Sequence, residues 1–386
     1  MLIAVPVVAV LVLAVVLARP WEASVPPMRA AVPPEDLRSV SVDFGIVADP
    51  DTDWSSIDQH LDRAGVNAVE LNAGRVEYTA FDWDDHPDAA AEPGTDHLAV
   101  AARALGQGPD GARRDVGLIV DAYVPRWLEQ DPSLAGRSPD GQPAEYQASA
   151  SALAKGPVGD RLVDYVVELG RRYEPAQISV TELFLDRYTF GDDDLALYRE
   201  MTGAQDWPRD ESGAVEEDAP ALGSWRSDVL AGLLTRMRTG LDEVQRGDTA
   251  RVALSMEVRV DWDDLARGVP SSGHDYEVLL TAVDRLTVWA YFQPSGRDVS
   301  SVEALTAALA GAGFDMSRIT VSVGLWAGSS ASTARISPEV MARAATLAAT
   351  NGVRAVNVTP LSFMTDEHWS ALASVWHPDA GEDETP

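Results

Sequence analysis

The feature that most constrains the fold is a regular alternation, from residue 38 onward, of short apolar segments with longer stretches of helical periodicity. The short segments are rich in β-branched and aromatic residues, which favour buried strands. They occur at 39–47, 68–71, 116–122, 177–185, 252–258, 286–292, 319–326 and 353–358. Eight strand-helix units in succession predict an α/β fold of the (β/α)8 TIM-barrel type, because a doubly wound sheet more often stops at about five or six strands.

The N-terminal end differs in composition from the rest of the chain. Residues 1–18 form an almost unbroken apolar run that Arg19 closes, which is barely long enough to span a bilayer. Because a basic stretch before the run and a small-residue cleavage site after it are both unconvincing, we predict an uncleaved signal anchor at 1–19, with a cleaved signal peptide as the alternative. We further predict a Pro-rich linker at 20–37, a barrel at 38–376 and an acidic tail at 377–386. The barrel is then extracytoplasmic, either anchored in the cell membrane or secreted.

Charge and missing residue types exclude several classes of function. The formal net charge is −31 and the sequence pI is about 4.4, so nucleic acid and anionic lipid would be repelled, and membrane contact is predicted through the N-terminal segment only. The chain has no cysteine, and its six histidines include no close pair. Gly-rich phosphate loops of standard spacing are also absent from the sequence. We therefore predict no metal and no cofactor, and interpret Asp192-Asp193-Asp194 as a solvated helix start.

The predicted active site lies where the strands end, since barrel enzymes build their sites from the loops at the carboxyl ends of the strands. The segment 177–191 is apolar in its first part and becomes polar and charged where the strand should end. Period-two alternation would place Glu182, Phe184, Asp186 and Tyr188 on one side of this strand. Asp186 is therefore the leading catalytic candidate.

Carboxylates recur at other predicted strand ends beside aromatic side chains, an arrangement that suits a sugar site because pyranose rings stack on aromatic faces while their hydroxyls hydrogen-bond to acids and amides. Glycoside hydrolysis needs one carboxyl group to protonate the leaving oxygen and a second as nucleophile or base. We predict Asp186 as the general acid and Glu257 as its partner, with Asp121 in reserve. The predicted substrate-binding residues are Asp43, Glu70, Asn72, Arg75, Asp121, Tyr123, Trp127, Arg187, Tyr188, Trp262, Trp289, Tyr291, Gln293 and Trp326.

Structural roles stand beside these functional ones. Asp186 could simply end a strand and pair with Arg187 or a neighbouring loop, and Asp43 and Glu70 could satisfy buried hydrogen bonds in the barrel mouth. Any single tryptophan is as well explained by packing between helix and sheet. The prediction therefore depends on the whole set of residues.

Several short motifs, in order along the chain, resemble those of glycosyl-hydrolase-like family 10 barrels and, more distantly, the glycosidase barrel fused to bacterial poly-N-acetylglucosamine deacetylases. Residues 121–125 (Asp-Ala-Tyr-Val-Pro) resemble that family's third strand exit, followed by Asp-Pro at 131–132 and Asp-Gly at 140–141. Leu-Phe-Leu-Asp at 183–186, preceded by Arg172-Tyr173, resembles the segment that ends in the family's Asp-Asp-Tyr, here 186–188. Further similarities lie in Trp225-Arg226 with Val229, in Ser255 of strand five and in Val-Trp-Ala-Tyr-Phe-Gln-Pro at 288–294.

The resemblance covers most of 38–375 and implies hydrolysis of a polysaccharide or oligosaccharide, with the aspartate of strand four, Asp186, at its centre. The chain departs from the family at Arg187, which stands where the family has its second aspartate. This departure, and the lack of a visible carboxylate at the end of strand seven, favour as an alternative a non-catalytic carbohydrate-binding barrel of the cell envelope. A structural envelope protein with a vestigial cleft is a third possibility.

Overall fold

The computed structural model describes residues 25–30, 32, 34–108, 111–245, 251–328 and 334–377. Eight parallel strands form its centre. Each strand pairs with the strands before and after it, and the first pairs with both the second and the last, so the sheet closes into a barrel. This confirms the predicted (β/α)8 architecture. The strands are β1 Leu37–Val42, β2 Ala68–Arg75, β3 Asp115–Asp121, β4 Gln177–Thr181, β5 Ala253–Val258, β6 Arg285–Ala290, β7 Ile319–Gly324 and β8 Ala355–Thr359.

A helix follows every strand and covers the outside of the barrel. The principal helices are α1 Trp54–Arg63, α2 His97–Leu105, α3 Pro157–Tyr173, α4 Pro220–Val244, α5 Tyr276–Leu279, α6 Ser301–Gly311, α7 Pro338–Ala348 and α8 Asp366–Trp376. Helix α4 begins at Pro220, because proline is well suited to the first helical turn, where its missing N–H is not needed. Further helices at Phe44–Val47, Pro125–Gln130, Ala150–Ala154 and Asp192–Thr202 lie in the loops.

The strands alternate between apolar side chains that face the helices and polar side chains that face the barrel axis. Val40, Val69 and Leu254 are fully buried on the outer face. On the inner face Asn357 of β8 is the centre of a hydrogen-bond network. Its Oδ1 accepts from Ser41 at 3.2 Å and Ser322 at 3.0 Å, and its Nδ2 donates to a hydroxyl of β1. Barrel interiors are commonly filled by branched apolar residues, so this polar axis is unusual.

Two strands end earlier than the apolar pattern predicts. β1 ends at Val42 and gives way to a helical turn, which puts Asp43 at the barrel rim. β4 ends at Thr181, because Glu182 and Asp186 both have positive φ, of 55° and 44°, and such a conformation is incompatible with a strand. The predicted alternation across residues 182–188 is therefore wrong.

The predicted linker is partly packed against the barrel. Within its described part, Met28 is buried, and its carbonyl accepts a hydrogen bond from Val116 of β3. The Arg29 side chain donates to the carbonyl oxygens of Glu174 and Arg251 at 3.0 and 3.1 Å. Residues 25–30 thus lie against the end of the barrel at which the strands begin. The predicted anchor at 1–19 and the acidic tail beyond His377 lie outside the described residues.

Two further predictions concern helices. Among the described residues, no helix is both long enough and apolar enough to cross a membrane. The triple aspartate does begin a helix, as predicted, but it is not fully solvated. The Asp194 carboxyl is buried and accepts a hydrogen bond from the Ser151 amide at 2.9 Å, and burial raises its pKa to about 7.

The last part of β2 is held by a buried tyrosine, which leads to a test of packing near the barrel mouth. Tyr165 of α3 donates its hydroxyl to the carbonyl of Ala73 at 2.7 Å, beside an irregularity in the β2 register between Asn72 and Gly74. We expect Tyr165→Phe to lower the free energy of unfolding by about 1 kcal/mol, because the Ala73 carbonyl loses one of its two donors and keeps only the amide of Ala80 at 3.0 Å. Urea unfolding measures the difference. Tyr146→Phe, on an exposed hairpin strand, is the matched control, and an equal effect of both changes would contradict this role of Tyr165.

Candidate active site

An open cleft lies at the carboxyl ends of the strands, where the sequence predicts the site. It has a volume of about 680 Å³ and draws its lining from all eight strands or the loops that follow them. Four carboxyl groups, three aromatic rings and several hydroxyls face it. The described lining residues are Ser41, Val42, Asp43, Asn72, Ile119, Asp121, Thr181, Glu182, Glu257, Trp289, Tyr291, Ser322, Trp326, Thr359 and Pro360.

Glu257 on β5 lies at the floor of this cleft and is held through one oxygen. Its Oε2 accepts from the indole N–H of Trp289 at 2.7 Å and from the hydroxyl of Thr181 at 3.0 Å. Within the described chain, no hydrogen bond engages Oε1. Burial raises the pKa of Glu257 to about 7, against the two donors that lower it, and the neighbouring charges of Glu182 and Asp121 raise it further. The group is therefore partly protonated at neutral pH.

Asp121 and Glu182 provide two more carboxyl groups next to Glu257. Asp121 ends β3, where its Oδ1 accepts from the amide of Tyr123 at 3.0 Å, and burial raises its pKa to about 6. Glu182 follows β4, and its carboxyl group lies near the Tyr123 hydroxyl. Burial raises the pKa of Glu182, while Tyr123 and the nearby Arg259 lower it. The positive φ of Glu182 turns the chain out of the strand at the cleft.

Aromatic rings form one wall of the cleft. Trp289 and Tyr291 stack with a centroid distance of 5.4 Å and an interplanar angle of 8°. Trp326 lies 5.0 Å from Tyr291, and Phe363 continues the row 5.9 Å from Trp326. Gly324 on β7 makes room for this wall, because a Cβ there would lie 2.3 Å from the Tyr291 ring. Such a row offers stacking surface to the apolar faces of sugar rings.

Asp43 and Asn72 line the cleft at the ends of β1 and β2. Asp43 accepts from the amide of Ser362 at 2.9 Å and from its hydroxyl at 3.1 Å, and burial raises the pKa of the Asp43 carboxyl. Asn72 is fixed by the amide of Gly74, which donates to its Oδ1 at 2.8 Å. Both side chains are therefore oriented before any ligand arrives.

Asp186, the leading catalytic candidate from the sequence, lies outside the residues that line this cleft. Its Oδ1 accepts from Arg259 at 2.8 Å and from the hydroxyl of Ser272 at 2.6 Å. The Arg259 guanidinium lies 3.6 Å above the ring of Phe184. Asp186 thus forms an ion pair with Arg259 outside the cleft, because the turn at Glu182 carries the chain away from the barrel axis. Its catalytic role stays a prediction that this geometry does not favour.

The other predicted site residues fall into three groups. Arg187 and Tyr188 line a separate surface pocket with Asp186, and the exposed Arg187 lies 3.7 Å from Glu217. Tyr123 and Arg75 stand beside the cleft and act on its carboxyls, Tyr123 through Glu182 and Arg75 by its charge near Asp121. The predicted residues that lie deeper in the barrel or further out on the loops are Glu70, Trp127, Trp262 and Gln293.

Sequence reasoning missed Glu182 and Arg259 as site residues. Glu182 directly follows the last strand residue, Thr181, and this position was a usable signal, since the residue after a barrel strand faces the mouth. It was obscured by the apolar run 183–185, which continues the strand-like pattern although the strand has ended. Arg259 lies just beyond β5, and its contact with Asp186 of the neighbouring loop has no local signal.

Chains of the same fold are known among solved structures of carbohydrate-active enzymes. The PgaB (BpsB) glycoside hydrolase domain from Bordetella bronchiseptica aligns over 89% of this chain and 99% of its own length, with a TM-score of 0.66 and 16% identity. The catalytic domain of β-amylase from Paenibacillus polymyxa aligns over 90% and 100%, with a TM-score of 0.58 and 11% identity. At such identities the likeness shows the fold alone.

Sequence comparison gives no closer assignment. No protein-family model matches the chain, and no curated protein matches it in sequence. The resemblance to glycosyl-hydrolase-like family 10 therefore stays a prediction. Among the described residues, no cluster of three or more acidic or histidine side chains is placed to hold a metal ion.

Proposed function

We propose that this chain is a glycoside hydrolase that cleaves a polysaccharide by carboxylate acid-base chemistry in the cleft at the barrel mouth. The observation that carries the proposal is the Glu257 carboxyl, held by two donors on one oxygen, beside two further carboxyls and below an aromatic wall. Glycosidases use a pair of carboxyl groups, one that protonates the leaving oxygen and one that acts as nucleophile or base. The fold shared with glycoside hydrolases supports the proposal without deciding it.

Glu257 is assigned as the general acid. Because Trp289 and Thr181 both donate to Oε2, that oxygen must accept, and a proton on the carboxyl resides on Oε1. Oε1 can then donate to a glycosidic oxygen bound in the cleft. With a pKa of about 7, a substantial fraction of the Glu257 carboxyl is protonated at neutral pH, and the group is still acidic enough to release its proton.

Glu182 is assigned as the partner carboxylate, which acts as nucleophile or activates water. The Tyr123 hydroxyl and the charge of Arg259 both stabilise its ionised form, so it stays more readily ionised than burial alone would allow. Asp121 is the second candidate for this role, because it lies close enough to raise the pKa of Glu257 as Glu182 does. The pair therefore combines one carboxyl that retains its proton with one that loses it.

The charge of the cleft favours neutral or cationic sugars. Asp43, Asp121, Glu182 and Glu257 line it, and none of the described lining residues is a lysine or arginine. A sugar carboxylate bound among these groups would add repulsion of roughly 2 kcal/mol for each unit charge at about 8 Å. Uronic acid units are therefore poor occupants of this site.

A matched pair of polymers tests this selectivity. We expect a polyuronate to be cleaved at least about tenfold more slowly than the same polymer after its carboxyl groups have been reduced to primary alcohols, because the added repulsion is worth more than 1.4 kcal/mol. The release of new reducing ends measures both rates. Equal cleavage of the two polymers would contradict the electrostatic argument.

The indole of Trp289 gives a prediction on pH dependence. Its N–H stabilises the ionised form of Glu257 and so lowers the pKa of that carboxyl. We expect Trp289→Phe to raise the pKa and move the alkaline limb of kcat/KM upward by about one pH unit, because one charge-assisted hydrogen bond is lost. Trp326→Phe, in the same aromatic wall, is the control and should leave the limb in place. An unchanged alkaline limb of kcat/KM in Trp289→Phe would contradict the assignment of Glu257 as the general acid.

The function itself is tested by the release of reducing ends from a panel of bacterial and plant polysaccharides, with the full chain and its Glu257→Gln variant. Activity in the parent that is lost in a folded variant supports the hydrolase. Saccharide binding without cleavage in either protein favours the non-catalytic binding barrel, and the absence of both binding and cleavage would reject a sugar site.

We also propose that the protein acts outside the cytoplasm, as the apolar run at 1–18 suggests. Protease accessibility in intact cells tests that location.

A further inference from the structure

Cavities continue below the cleft along the barrel axis. A small cavity, with room for about one water molecule, shares Ser41 and Glu257 with the cleft. It shares Glu70 and Gln177 with a third cavity of about 840 Å³, which is open to solvent where the strands begin. The two inner cavities thus place Glu70 between the site of the proposed chemistry and the opposite face of the barrel.

The end of the barrel where the strands begin is wide because small residues surround the third cavity. Ala68 and Ala355 lie at the beginnings of β2 and β8, and Ala176 and Ala253 hold corresponding places at β4 and β5. None of these methyl groups can close the barrel as a larger apolar residue would. Solvent can therefore approach Glu70 from below.

The middle cavity contains polar atoms that the protein leaves unpaired. Glu70 Oε2, Ser179 Oγ and Thr320 Oγ1 are buried, and each lacks a protein hydrogen-bond partner in the described part of the chain. Gly117 makes room for the acid, since a Cβ there would lie 2.1 Å from Glu70 Oε2. Such groups cost free energy unless they are hydrogen-bonded, and a polar cavity usually meets that need with ordered water.

We propose that the middle cavity is an internal water-binding site that joins Glu70 to Glu257, and that Glu70 is a positioning residue that returns a proton to Glu257 from below the cleft. The proposal rests on the proposed function, because it gives Glu257 the role of acid. Ser179 and Thr320 fix the water from two sides of the barrel, and Glu70 supplies the exchangeable proton.

The charges around Glu70 suit this role. Burial and the neighbouring charges of Glu257 and Asp115 raise the pKa of Glu70 to about 8, while Arg285 and the amide of Gln177 lower it. Glu35 and Arg354 lie further out, at the cavity entrance. Facing Glu257 are Glu182, Asp121 and Glu70, with Trp289 as donor. Because Glu70 holds its proton more tightly than Glu257, it is still protonated when Glu257 becomes ionised.

The proton balance is simple. The return of a proton applies to the route in which Glu182 activates water, because a nucleophilic Glu182 would let Glu257 regain its proton from the attacking water. On that route Glu257 gives its proton to the leaving oxygen as the glycosidic bond breaks and becomes a carboxylate. The Glu70 hydroxyl donates a proton to the bound water, which passes one of its own protons to Glu257. Glu70 then recovers a proton from solvent through the third cavity, and the partner carboxylate releases the proton of the attacking water through the cleft. One proton enters and one leaves in each cycle.

Two measurements on the full chain test the proposal without relying on hydrolysis. In a high-resolution crystal structure we expect water within hydrogen-bond distance of Glu70 Oε2, Ser179 Oγ and Thr320 Oγ1. In a carboxyl-carbon NMR titration we expect two coupled glutamate titrations near pH 7 and pH 8, of which Glu70→Gln removes the upper one.

A dry cavity would overturn the proposal, and so would a wild-type protein without the titration near pH 8. The crystallographic result needs no variant, so it stands even if Glu70→Gln folds poorly. Water and both titrations in a chain that cleaves no polysaccharide would reject the hydrolase and the proton-return role together, while the water site itself would stand. Cleavage by a chain with a dry cavity would reject this inference alone.

Discussion

Replacement of Glu257 by Gln is expected to lower kcat about a thousandfold, because proton donation to the leaving oxygen is lost and general acid catalysis typically contributes about 10²- to 10⁴-fold. The structure should tolerate the change. The amide oxygen of Gln can accept from Trp289 and Thr181 as Oε2 does now, and both donors stay satisfied. The rate of release of reducing ends at saturating substrate measures the loss, and circular dichroism checks the fold.

Asp186→Asn is the matched comparison, since Asp186 is a carboxyl near the same strand ends that lies outside the cleft. The change weakens the contacts to Arg259 and Ser272 and so shifts Arg259, which lies near Glu182. We therefore expect kcat to fall by no more than about tenfold. Glu182→Gln should resemble Glu257→Gln. If Asp186→Asn were as inactive as Glu257→Gln, the assignment from the sequence would be restored and ours would be wrong.

The comparison between Glu182 and Asp186 also marks how far the sequence leads. Apolar segments and strand ends were sufficient to predict the barrel, and they placed Glu257, Asp121 and Trp289 at its mouth. They could not reveal that β4 ends at Thr181, because the apolar residues after it look like strand but pack in a loop. A positive φ at a glutamate has no signature in the local pattern, and it decides which acid faces the cleft.

The inner face of the barrel marks a second limit. The period-two pattern of the strands is visible in segments such as Ser-Val-Ser-Val at 39–42, but its usual meaning is one face buried and the other solvated. Here both faces are enclosed, and the polar face points to the axis, with Asn357 joining three serines. Glu70 was read as part of the barrel mouth for the same reason. Only closure of the sheet shows that its carboxyl lies below the cleft.

The buried carboxyls predict an unusual dependence of stability on pH. Between pH 6.5 and pH 8.5 we expect the free energy of unfolding to fall by about 3.5 kcal/mol. Glu70, with a pKa raised to about 8, contributes about 2 kcal/mol of this, and Glu257 and Asp194, both at about 7, contribute the rest. The sign follows from proton counts. In this range the folded protein retains these protons while the unfolded chain, whose carboxyls are ionised, does not, so rising pH favours unfolding.

Glu70→Gln separates the contribution of Glu70 from the others. Gln imitates the protonated acid in the folded protein and, unlike Glu70, cannot ionise in the unfolded chain. The variant should therefore lose about 2 kcal/mol of the fall in unfolding free energy between pH 6.5 and pH 8.5, and it should be more stable than the parent throughout this window. Glu145→Gln, on an exposed hairpin strand, should leave the dependence unchanged. Urea unfolding at a series of pH values measures all three proteins. The measurements begin at pH 6.5 because the buried His274, whose pKa burial lowers to about 4, changes the pH dependence of stability only at lower pH. A parent with constant stability across this window would mean that Glu70 is ionised in the folded protein, because a carboxyl without its proton adds no dependence on pH there.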